Sequence, residues 1–183
     1  MEPQVSPFPS LYQSNLFTLV LDQQEDKTKI TMKIHDSLVN TRELPGTLAI
    51  LEENLPSIFR TTCFNDDHVS FLKEVRHTEV GHLFEHIILA YLCENTVVEK
   101  NCSITYKGET SWNWLKDDFG TYHITLNVGK KDANVFFSSL EKSIILLDTI
   151  MREGKQKEVN INSSFMFRQF EENYHTPPAH PLF

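Results

Sequence analysis

Cysteine is scarce in this chain of 183 residues: only Cys63, Cys93 and Cys102 occur, widely spaced and with no C-x-x-C pair. That excludes a zinc ribbon and a thioredoxin-type redox motif. An odd number of scattered cysteines, behind a start that lacks a basic segment and apolar run, leads us to expect reduced thiols and a cytoplasmic location. Positive charge is also short. Lys and Arg number 17 against 25 Asp and Glu, a net charge of −8. The basic footprint of a general nucleic-acid binder is therefore missing. No apolar run approaches bilayer-spanning length, so no membrane segment is expected. There is no P-loop, no internal repeat and no low-complexity tract. What remains, 40% hydrophobic and 23% charged, is ordinary globular composition, enough for one domain with its own core.

Against that background one stretch stands out, residues 75–93, VRHTEVGHLFEHIILAYLC. It reads as a long helix, apolar on nearly every side and therefore largely buried. His82 and His86 are four apart, so they share a face one turn from each other, with Glu85 on the same side. The order H-x-x-E-H is the inverted zinc-peptidase motif. In it both histidines are metal ligands and the glutamate is a general base towards water. Buried polar groups need partners. Either a metal ion sits near, with zinc or another divalent cation fitting the residue types, or a hydrogen-bonded polar seam satisfies them.

Taken in order, residues 1–15 read as an extended proline-bearing arm. Residues 16–22 and 28–35 alternate as the two strands of a hairpin. Pro45 opens a short helix that stops before Pro56, and 56–68 read as irregular. Asp66 or Asp67 can cap a helical turn at 69–75, and Thr78 can cap the central helix. Residues 102–106 are expected as a strand, 108–118 as a loop holding Trp112 and Trp114, and 120–128 as a strand. A helix follows over 133–152, and a last short one over 164–173. The mixed order predicts an α+β fold, a single domain with an antiparallel or mixed sheet and helices packed mainly on one face. The domain proper spans 16–155, and 156–183 form a C-terminal extension.

At this point the residues resemble a family. The run LPGTLAILEENLPSI, then Cys63, then FLKEVRHTEVGHLFEHIILAYL is similar to the N-terminal domain of cyanophycin synthetase, with Gly81, His82, Glu85 and His86 at its G-H-x-x-E-H signature. Glu109, Thr110, Gly120 and Tyr122 match a later Glu-Thr pair and strand. The ATP-grasp and Mur-ligase-like domains that follow in the large synthetase are not in this chain. The resemblance implies one of two roles. The first is zinc-dependent hydrolysis of an amide or peptide bond in an aspartate–arginine polymer, with His82 and His86 as ligands and Glu85 as base. The alternative is a non-catalytic polymer-binding or assembly module, acting as a homo-oligomer or with a separate ligase. Departures at Val69-Ser70, Lys107 and Asn127 bear on the substrate more than on the metal.

A third metal ligand is expected, because catalytic zinc normally has three protein ligands. Glu109, by local motif, and Glu158, by distance along the chain in insulinase-type peptidases, are the two named for it. His77 is expected at the cleft rim or exposed, Cys93 in the core, and Trp112 and Trp114 at the sheet end or along a peptide groove.

Overall fold

The computed structural model describes residues 10–61, 63, 70–100 and 105–154. Five strands, β1 (Leu11–Gln13), β2 (Phe17–Gln23), β3 (Thr28–Ile34), β4 (Gly108–Ser111) and β5 (Thr121–Leu126), form one sheet in the order β1-β2-β3-β5-β4. Every pairing is antiparallel. Alternation explains the layers. Phe17, Leu19 and Leu21, then Ile30, Met32 and Ile34, then Tyr122, Ile124 and Leu126 are buried, while Val20, Lys29, Thr31 and His123 between them are exposed. One face of the sheet is therefore covered and the other meets solvent.

The covering layer is helical: α1 (Thr47–Asn54), α2 (Phe71–Glu74), α3 (Val80–Lys100) and α4 (Ala133–Glu153). Leu83, Phe84, Ile87 and Ile88 of α3 are fully buried, and the Phe84 ring meets Phe17 of β2 at 6.3 Å between centroids. This is the α+β fold that the strand and helix patterns imply. Close contact between α3 and the sheet depends on Gly81. A Cβ there would come within 2.3 Å of the Tyr122 ring on β5, so any larger residue would push the helix off. No described helix is long and apolar enough to cross a membrane.

Several boundaries differ from expectation. The arm ends in β1, which adds a strand to the edge of the hairpin. Pro45 lies outside α1, which starts at Thr47, and a 3-10 turn, Pro56–Arg60, occupies the start of the segment expected as irregular. The central helix begins at Val80 because the backbone just before it is engaged elsewhere. Val80 N–H donates to the Val39 carbonyl, Thr78 N–H donates to Thr41 Oγ1, and Glu79 bridges to Asn40. The strand expected at 102–106 is not found where it can be seen. Thr105 and Tyr106 belong to no regular element, and pairing starts at Gly108, where a loop was expected. Tyr106 is apolar-patterned because its side chain packs inward, its hydroxyl 2.8 Å from Thr96 Oγ1 of α3. The expected helix at 164–173, residues 102–104, and Asp66 and Asp67 lie outside the described residues.

Candidate metal centre

α3 projects His82, Glu85 and His86 into a pocket of about 500 Å³. Arg60, Thr61 and Cys63 bound it on one side and residues 105–110 on the other. His86 and Glu85 are 3% and 5% exposed. Phe71 of α2 stacks on the His86 ring, with centroids 3.9 Å apart and planes at 16°, and meets His82 edge-on at 6.0 Å. The two imidazoles are thus clamped 4.8 Å apart, centroid to centroid.

A third donor completes the group, and it is Cys63. Its Sγ lies 3.3 Å from His86 Nε2 and 3.9 Å from His82 Nε2. One donor atom from each of the three residues lies within 4.8 Å of the others. A tetrahedral zinc ion with its usual bond lengths separates a sulfur and a nitrogen ligand by about 3.5 Å. The set therefore fits zinc in spacing, and its softness suits zinc in kind.

The hydrogen bonds fix which atom of the His86 ring is available. Thr61 Oγ1 donates its only proton to the Ile58 carbonyl at 2.7 Å. Its 2.9 Å contact with His86 Nδ1 must then be an N–H donated by the histidine. A neutral His86 with its proton on Nδ1 carries a bare lone pair on Nε2, aimed at Cys63. Thr78 Oγ1 lies 2.7 Å from His82 Nδ1 and anchors that side of the ring, while His82 Nε2 faces Cys63. Outer partners on the second nitrogen are how metal-binding histidines are oriented. Burial keeps both rings neutral: it pushes His86 down to about 3, helped by His82. Burial also lowers His82, against the opposing charges of Glu74 and Glu79. Cys63 is pushed up to about 12 by burial and by the charges of Glu74 and Glu85. Without an ion it is a thiol whose S–H points to His86 Nε2, and a divalent ion would take that proton's place.

A family model described as the cyanophycin synthase-like N-terminal domain matches residues 29–145. The chain belongs to that family. No curated protein matches the chain. The family match runs from β3 into α4 and includes Cys63, His82, Glu85 and His86, so the whole group falls within the part the family shares.

Glu85 stands beside these donors and outside their set. Thr110 of β4 donates its hydroxyl to Glu85 Oε2. Among the described residues no hydrogen bond reaches Oε1. Gly108 makes this approach feasible, because a Cβ there would lie 2.6 Å from Oε1. Burial raises the Glu85 carboxyl to about 7, opposed by the Thr110 hydrogen bond and reinforced by the charge of Glu109. A carboxylate poised near neutrality is suited to exchanging protons at neutral pH.

Of the two glutamates expected as a third ligand, only Glu109 lies among the described residues, and it is not one of the three converging donors. Glu109 is exposed at the pocket rim, and Glu158 lies outside the described residues. His77 is exposed and its Nδ1 accepts from Arg42 Nε at 3.0 Å, away from the group. Cys93 is half-buried and lines the pocket. Trp112 and Trp114 pack edge-on against Tyr122 and close the sheet end; neither lines the pocket. Sequence reasoning missed Cys63, Thr61 and Thr110 as site residues. Only Thr78 had a readable signal, since it sits one helical turn before His82.

Proposed function

We propose that this chain is a zinc-dependent hydrolase of a peptide or amide bond, and that the bond belongs to an aspartate–arginine polymer of the kind its family name indicates. One observation supports the reading: Cys63 Sγ and the Nε2 atoms of His82 and His86 converge, with the carboxylate of Glu85 beside them. Here two Nε2 atoms are held facing one sulfur.

In this reading Cys63, His82 and His86 hold the ion, and Thr61 and Thr78 hold the rings. Zinc, when bound, supplies Lewis acidity towards the carbonyl oxygen and makes a nearby water easier to deprotonate. Glu85 takes that water's proton on Oε1 while Thr110 keeps Oε2 fixed. The same carboxyl can then return the proton to the departing amine. Leu89 of α3 forms part of the pocket wall.

The test uses untagged protein. Zinc is measured per chain, and hydrolysis is followed on the aspartate–arginine polymer and on arginine-containing peptides. The expected outcome is about one zinc per chain and cleavage of the polymer. Glu85→Gln should retain the zinc and lower turnover by about 10²–10⁴-fold, the usual contribution of a positioned general base. A metal-free parent with no turnover on any substrate would sink the reading and leave a non-catalytic polymer-binding or assembly module.

A further inference from the structure

Among the described residues the last strand of the sheet has a free edge, and that edge borders the pocket. β4 pairs with β5 on one side only and ends the strand order. The direction of its backbone groups follows from the pairing. In an antiparallel strand the N–H and C=O of one residue point to the same side, and successive residues alternate. Asn127 N–H donates to the Lys107 carbonyl at 3.0 Å, so Lys107 faces β5, and Glu109 and Ser111 with it. The opposite side of β5 agrees. Ile34 N–H donates to the Gly120 carbonyl, which turns Gly120, Tyr122 and Ile124 towards β3 and leaves Thr121, His123 and Thr125 for β4. Gly108 and Thr110 therefore turn both their N–H and C=O away from the sheet. Among the described residues no hydrogen bond reaches these four groups.

The same two residues touch the candidate base with their other face. Thr110 donates its hydroxyl to Glu85, and Gly108 lies against Glu85 Oε1. Both line the pocket that holds Cys63, His82 and His86. The free edge is thus level with the site of chemistry.

We propose that β4 takes an extended polypeptide main chain as a sixth strand, held by Gly108 and Thr110 beside Glu85. Two donor–acceptor pairs on alternate residues repeat at about 6.8 Å, the spacing at which an extended chain presents its own N–H and C=O groups. An unpaired strand edge is a template for such pairing, and main-chain bonds of this kind supply affinity while side-chain pockets supply selectivity. The identity of the bound chain, the amide main chain of an aspartate–arginine polymer, rests on the hydrolase reading; the edge and its free groups do not.

The test uses the full chain carrying Glu85→Gln, which traps substrate, and a synthetic aspartate–arginine oligomer. Amide exchange is followed at Gly108 and Thr110, with Glu109 and Ser111, already bonded to β5, as internal controls. In parallel the oligomer's main-chain amides are N-methylated one at a time. Binding should slow exchange at Gly108 and Thr110 alone. N-methylation should weaken binding with a period of two along the oligomer, up to about tenfold at amides facing the edge and little at those between. Cleavage by the parent chain is measured separately. If the parent cleaves the oligomer but neither signature appears, the edge proposal is overturned and the hydrolase stands. If both signatures appear without cleavage, the edge proposal stands and the hydrolase reading fails. If the oligomer neither binds nor is cleaved, both are overturned.

Discussion

Helix α3 buries polar side chains in two places, and the two are built on opposite plans. In its second half Asn95 Nδ2 donates to Ser139 Oγ of α4 at 2.8 Å, and Ser139 passes its own proton to the Val135 carbonyl. Lys142 Nζ donates to Asn95 Oδ1 at 2.7 Å, and Thr96 meets the Tyr106 hydroxyl. Each buried polar side-chain atom there has a hydrogen-bond partner, so the network is satisfied by the chain itself. In the first half the outer atoms are satisfied in the same manner, through Thr61 and Thr78, but the inner ones are not dispersed. Two imidazole nitrogens and a sulfur are turned towards one another. A folded chain that needed these groups only for packing would have no reason to converge its acceptors. In the proposed reading the first cluster is a binding site and the second is structural.

The largest effects are expected at the residues proposed to hold the ion. Cys63→Ala and His86→Ala should each abolish stoichiometric zinc, because the site has no protein ligand to spare, and hydrolysis should go with it. Zinc content by elemental analysis is the direct measurement. If either variant keeps its zinc and loses only thermal stability, the convergence of donors has been misread.

A smaller effect tests the outer atoms. Thr61→Val removes the acceptor for His86 Nδ1–H and keeps the shape of the side chain. The ring can then place its proton on Nε2, where it blocks the ligand lone pair. Zinc affinity should fall by about 10–100-fold, as for other outer partners of metal-bound histidines. A competition titration against a chromophoric chelator measures this. An unchanged affinity would mean that Phe71 stacking alone holds the ring.

How much of this was legible beforehand depends on whether the signal was local. The hairpin, the strand around Tyr122–Leu126 and the helix from Ala133 could be read because apolar residues recur with the period of the element that buries them. His82, Glu85 and His86 could be read because helical spacing alone puts them on one face. β4 could not. Gly-Glu-Thr-Ser has no apolar alternation, since its inward positions, Gly108 and Thr110, press on a carboxylate instead of a hydrophobic core. Cys63 was hidden for a different reason. It is 19 residues from His82, in a segment without period, and only the packing of Pro56–Arg60 and α2 against α3 brings it to the histidines. The acidic candidates were chosen by motif and chain distance, and neither quantity says which way a side chain points.

The smallest expected effect concerns the closed network, and it sharpens the comparison from the other side. Asn95 is 7% exposed and lies between α3 and α4. Asn95→Ala removes one donor and one acceptor, yet it strands little. Ser139 Oγ keeps its bond to the Val135 carbonyl and loses only an incoming hydrogen bond. Lys142 is exposed, and its ammonium can turn to water while its stem stays over the Tyr91 ring, where Nζ now sits 5.7 Å from the centroid. No buried charge is left unpaired, so the penalty is that of ordinary buried hydrogen bonds, about 1–2 kcal/mol. Denaturant unfolding should show that loss as a shifted midpoint with an unchanged slope. Zinc content and turnover should match the parent, because Asn95 lies more than two helical turns beyond His86 and shares no partner with the metal group. If Asn95→Ala instead lowered zinc affinity as Thr61→Val is expected to, the two clusters would be one coupled network, and the distinction drawn between them would fail.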